Sequence, residues 1–150
     1  MAETWDEEQL IADGFQRVYA EPDWHDGPRA GLADVDGRPH CFRSHDYDRT
    51  DEADGYVVWP ASEAAVELER EQWAIFARWN QRYEAGVAGP ESPPGHGGLD
   101  ARYDEPARLL APHRQPADDV RRLVGEVRFD AGARYRVDGL DYWFRWRPGR

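Results

Sequence analysis

The stretch Arg29-Ala30-Gly31-Leu32-Ala33-Asp34-Val35-Asp36-Gly37-Arg38-Pro39-His40-Cys41-Phe42-Arg43-Ser44-His45 decides how this chain folds. At its centre sits Asp36-Gly37. A type I′ hairpin turn favours that dipeptide because both of its central residues need positive φ. A two-residue turn fixes the register of the flanking strands, so that Leu32 faces Cys41 and Gly31 faces Phe42. Pro39 has no N–H to give to a ladder, which predicts an edge position or a bulge there.

Upstream, Phe15-Gln16-Arg17-Val18-Tyr19 alternates apolar and polar residues in the manner of a strand. Before it, Thr4 and Glu7 have capping-box spacing, which predicts a short helix from Trp5 to about Asp13, stopped by Gly14. Residues 20–28 read as a loop ending in the Asp26-Gly27-Pro28 turn. Downstream, an acidic irregular stretch (46–55) leads to a strand at Tyr56-Val57-Val58-Trp59. Ser62 then caps the clearest helix, 62–85. Its first half carries Glu63, Glu67, Glu69 and Glu71 and its second half Arg78 and Arg82, an order that suits the helix dipole. Leu68, Ile75, Phe76, Trp79 and Tyr83 share one broad face, which predicts that Trp79 is buried.

Residues 86–98 hold five Gly and three Pro and read as a flexible loop. The stretch 100–111 stays open between helix and coil because Pro106 interrupts it. A second helix is predicted over 116–124, with Pro116 at its first position and Arg121 and Arg122 late. A second Asp-Gly turn, Asp138-Gly139, predicts a C-terminal hairpin. In it Val137 faces Leu140, Tyr135 faces Tyr142, Ala133 faces Phe144, and Arg136 pairs with Asp141. These signals together predict one α+β domain over 1–150. Its small antiparallel sheet is made of two hairpins plus one or two strands, with the 62–85 helix packed across one face.

The 150 residues suffice for a self-supporting core. One cysteine, Cys41, allows no intrachain disulfide, which points to a reducing compartment. The acidic N-terminus lacks a secretory pattern, and no stretch approaches the ~20 apolar residues of a membrane span. The expected location is therefore cytoplasmic, with no membrane association. The net charge is -11, and such a field opposes nucleic acid. Arginines and aromatics interleave from Arg134 to Arg150, as in surfaces that stack bases, but the predicted alternation turns most of those rings toward the core.

The chemistry-bearing residues gather in 24–48. His25 or His40 beside Asp26 or Asp34 has the makings of a general base with an orienting carboxylate. An enzyme built there, such as a small hydrolase, would centre on His25, Asp26, Arg29 and His40. No nucleophile motif accompanies them. His40, Cys41, His45, Asp46 and Asp48 are all metal-ligand types, but His40 and Cys41 are adjacent and point to opposite faces of a strand. No zinc spacing exists and no calcium loop is completed, so no metal is expected. Gly95-His96-Gly97-Gly98 lacks the lysine and the spacing of a phosphate loop, so no cofactor is expected either.

Asp26-Gly27-Pro28-Arg29-x-Gly31-x-Ala33-Asp34-x-x-Gly37-x-Pro39-His40-x-Phe42, followed by Glu71-x-Trp73-x-Ile75-Phe76-x-Arg78-Trp79, resembles a group of small uncharacterised bacterial proteins. The likeness covers roughly the first 86 residues and implies no activity, cofactor or catalytic residue. The functional expectation rests instead on the residues themselves. It is a non-enzymatic protein-binding or accessory module whose working surface is Trp24, His25, Asp26, Arg29 and His40. Trp and Arg dominate interface energetics, and loops held by rigid scaffolds carry most binding residues.

Overall fold

The computed structural model describes residues 4–24, 28–44, 53–86, 101–116, 118 and 120–148. In chain order its elements are β1 (Thr4–Trp5), α1 (Glu7–Ala12), β2 (Gln16–Trp24), β3 (Pro28–Val35), β4 (Arg38–Ser44), β5 (Ala53–Pro60), α2 (Glu63–Glu84), α3 (Ala101–Leu110), β6 (Arg121–Asp130), β7 (Tyr135–Arg136), β8 (Gly139–Leu140) and β9 (Tyr142–Pro148). Strands β2 to β6 form an antiparallel meander. β9 pairs along β6 on one side and meets β2 on the other, at Gln16↔Phe144 and Arg17↔Trp143. The seven-stranded sheet is therefore a closed six-strand antiparallel barrel, with β1 appended to β6 by a short parallel pairing.

This closed, mostly β architecture corrects the expected α+β fold with a small open sheet. The first hairpin forms as its sequence dictates. Leu32 pairs with Cys41 and Gly31 with Phe42, and the turn has φ of 55° at Asp36 and 77° at Gly37. The second hairpin forms differently. Its turn sits so that Tyr135 pairs with Leu140 and Arg136 with Gly139, and the ladder stops there. Tyr142 and Phe144 pair instead with Phe129 and Val127 of β6. The predicted 116–124 helix is also replaced, because residues from Arg121 onward belong to β6. The physical reason is common to both. A strand at 121–130 offers β9 a longer ladder and a buried face, and that gain outweighs local helix and hairpin preferences.

Closure creates an interior, and aromatic rings pack together within it. The register puts Gly31, Phe42, Tyr56, Gly125, Phe144 and Trp146 on the same side of the wall. Phe42 reaches Phe144 across the barrel with ring centroids 5.1 Å apart, Tyr56 reaches Phe144 at 5.3 Å, and Phe144 stacks on Trp146 at 4.3 Å. Each such pair is worth about 0.5–1.5 kcal/mol beyond the area it buries. The two glycines make room for the rings. A Cβ on Gly31 would lie 2.2 Å from the Ala20 carbonyl oxygen and 2.9 Å from the Phe42 ring, and one on Gly125 would lie 2.8 Å from Phe144.

The helices cover part of the outer wall. Asp6, not Thr4, caps α1, and the Gln9 side chain accepts the Asp6 N–H at 3.4 Å. Leu10, Phe15 and Trp143 pack together beneath α1. Ser62 caps α2 by accepting the Ala65 N–H at 3.1 Å, and Gly86 follows its end at φ 78°. The buried face of α2 is Ala65, Glu69, Gln72, Trp73 and Ala77. Trp79 is only half-buried and stacks on the exposed Tyr83, which corrects the predicted helix phase. The reversal comes from Glu69 and Gln72, which a purely apolar face leaves out. α3 accommodates Pro106 within its ten residues. Most of the expected 86–98 loop and of the acidic 46–55 stretch lies outside the described residues. Among the described residues no helix is long and apolar enough to cross a membrane.

Candidate functional site

A cleft of about 220 Å³ opens where the α2–α3 layer meets the barrel wall. The barrel contributes Ala30, Cys41, Arg43 and Trp59, and the helical layer contributes Glu69 and Arg114. Leu32, Cys41 and Trp59 lie in one cross-strand row on the outside of the wall. The turn after α3 docks on that row through a single carbonyl. His113 O accepts from Trp59 Nε1 at 3.1 Å and from Cys41 Sγ at 3.7 Å. This contact places Arg114 opposite α2.

Arg114 grips two buried polar side chains of α2. Its Nε donates to Glu69 Oε2 at 3.2 Å, and its Nη2 donates to Glu69 Oε1 and to Gln72 Oε1, both at 2.6 Å. Glu69 has 2% of its side chain exposed, against 27% for Arg114. A charge that deep is tolerable only when paired and hydrogen-bonded, and the bidentate fork does both. Cys41 is buried beside this pair. Burial, with the Glu69 charge adding and Arg114 opposing, pushes its thiol up to about 12. A thiol so high is almost wholly protonated near neutral pH and is a poor nucleophile.

Of the residues expected to form the working surface, the two whose side chains are described, Arg29 and His40, lie apart. Arg29 is buried on the same side of the wall as Phe42 and donates to Ser44 Oγ at 3.2 Å. His40 is 7% exposed, and its Nδ1 lies 2.8 Å from the Arg38 carbonyl oxygen. Along β4, His40 stands four residues from Ser44, the neighbour of Arg29, which is about 13 Å of strand. Asp34 accepts from the Tyr19 hydroxyl at 2.8 Å. Burial and this bond raise the Tyr19 hydroxyl to about 12. His25 and Asp26 lie outside the described residues, and Trp24 is placed only through its backbone pairing with Pro28. His45, Asp46 and Asp48 are likewise outside them. Among the described residues no group of three or more His, Cys, Asp and Glu side chains is arranged to hold a metal.

Sequence reasoning missed a second polar cluster, where the β7–β8 hairpin packs against β2 and α2. Asp130 accepts from Trp143 Nε1 at 2.9 Å, Arg136 Nη2 at 2.7 Å and the Gly132 N–H at 2.8 Å. Burial pushes its carboxyl up, but these three donors and the Arg136 charge outweigh burial and hold it below the usual carboxylate range. Arg136 also donates to the Leu140 carbonyl, and its own carbonyl accepts from Trp73 Nε1 at 2.7 Å. Asp141 is shifted the other way. Burial raises it, Arg134 lowers it in part, and the neighbouring Asp130 charge adds to the rise. The cluster ties the hairpin to both the barrel and α2, which is a structural role. The sequence signal was Asp141 beside Arg134 and Arg136, but the partner of Arg136 is Asp130, at the end of the strand whose first residues, 121–124, were expected to be helical. No family model, curated protein or solved structure matches this chain.

Proposed function

We propose that this chain is a non-enzymatic protein-binding module, working in the cytoplasm, that meets its partner through the outside of the barrel. The observation that carries the reading is the packed interior. Phe42, Tyr56, Phe144 and Trp146 occupy the space where a ligand-carrying barrel keeps a chamber. The cleft adds support. Its buried Glu69 carboxylate is bound by the Arg114 guanidinium, and its thiol is held in the unreactive form. What remains for contact is the outer wall and the segments around it. The test is purification of the tagged protein from its own host, with both proteins and small molecules analysed in the eluate. A stoichiometric protein partner is expected. A retained metabolite with no protein partner would contradict the reading.

A further inference from the structure

Among the described residues, the helices leave part of the barrel wall uncovered. α1 covers the wall around Trp143, and the α2–α3 layer covers it around Cys41 and Trp59. Between them, β4, β5, β6 and β9 present residues facing away from the aromatic interior. The register sets Arg43 beside Val57 and Val57 beside Arg122 in one row, with Val124 beside Arg147 next to it. The three arginines are exposed and the two valines half-buried. Among the described residues, no carboxylate pairs with Arg43, Arg122 or Arg147. The nearby Arg145 and Arg128 already hold Glu126, and Arg128 also reaches Asp13.

This window is cationic on a chain whose net charge is -11. We propose that it docks a short acidic segment of a partner protein, whose carboxylates pair with Arg43, Arg122 and Arg147 while an apolar side chain rests on Val57 and Val124. The inference rests on the protein-binding reading above and gives it a surface and a partner chemistry. Charge complementarity selects the occupant. Arg43 and Arg122 stand two strand spacings apart, about 9.5 Å, within reach of carboxylates a few residues apart in one peptide. The closed barrel offers no free strand edge here, so side chains and not an added strand make the contact. Nucleic acid fits less well. It needs a longer track of phosphate contacts against the acidic field, and the rings that would stack bases, Phe144 and Trp146, are inside.

The probe is a fluorescein-labelled glutamate–alanine repeat peptide, titrated by anisotropy at low and at physiological salt. Wild-type protein should bind it in a salt-sensitive way. The R43E/R122E/R147E variant should bind about tenfold more weakly or worse, the sum of three exposed ion pairs. The matched control R78E/R82E/R108E makes the same charge change at exposed helix positions and should bind as wild type does. Thermal melts establish that both variants fold. No peptide binding by wild type, or equal loss in both variants, overturns the proposal. Tighter binding of an oligonucleotide through the same arginines overturns the partner class. Host purification separates the two failures. A partner kept by the R43E/R122E/R147E variant refutes this window but leaves the protein-binding reading standing, and no partner for wild type removes that reading itself.

Discussion

Adding one methyl group at Gly31 probes the barrel where its wall and its filling meet. Gly31 has no need of unusual φ; it is glycine because the space beside it is taken. In Gly31→Ala the new Cβ meets the Ala20 carbonyl oxygen at 2.2 Å and the Phe42 ring at 2.9 Å. The ring is wedged between Tyr56 and Phe144, and the carbonyl belongs to the neighbouring strand, so neither yields without moving the wall. Overpacking costs about 1–3 kcal/mol in general, and a clash with backbone belongs at or above the top of that range. We expect Gly31→Ala to lose about 3 kcal/mol in urea denaturation with an unchanged m value. Gly37→Ala is the comparison. Nothing lies within 4 Å of a Cβ there, and only the positive φ opposes it, so its loss should be about 1 kcal/mol. A Gly31→Ala loss below about 1 kcal/mol would falsify the packed interior, because a hollow or open sheet has room for the methyl.

Three further outcomes follow from the same geometry. Trp73→Ala should cost about 3–5 kcal/mol, as its ring is buried and its Nε1 is bonded to Arg136 O, and Trp79→Ala should cost distinctly less; a reversed order in denaturation would restore the predicted helix phase. Asp130, held below the usual carboxylate range, contributes stability that is present above its unfolded pKa of about 4 and is lost as pH falls through its folded pKa; Asp130→Asn should therefore flatten the acid limb of the melting-temperature profile, and an unchanged limb would remove Asp130 as its cause. Cys41 should react slowly with iodoacetamide at pH 8 in the native protein and quickly in urea, while rapid native alkylation would show that the thiol is neither buried nor pushed up to about 12.

Local signals in the sequence carried the local structure. Asp36-Gly37 fixed a register that the fold reproduces pair by pair, and Ser62 and Gly86 marked the ends of α2. Closure was not legible, because it depends on β9 choosing β6 over its own hairpin, a choice between partners far apart in sequence. The helix phase was misread for a related reason. Glu69 and Gln72 are polar residues on a buried face, and Arg114, some forty residues later, bonds both and so helps make that burial tolerable. Arg29 and His40 have the side-chain chemistry of a site, but strand parity turns both into the wall. Arg43 and Arg122 become neighbours only through Val57, and no pattern within either segment announces it.

Interstrand NOEs measured on isotope-labelled protein test the central claim most directly, since the whole account rests on a barrel that closes and fills. Closure predicts cross-strand contacts at Gln16–Phe144 and Arg17–Trp143, together with ring contacts between Phe42 and Phe144 across the interior. Their absence, with β9 contacts to β6 alone and rapid amide exchange along β2, would mean an open sheet. That result would contradict both the packed interior and the assignment of the outer wall as the working surface.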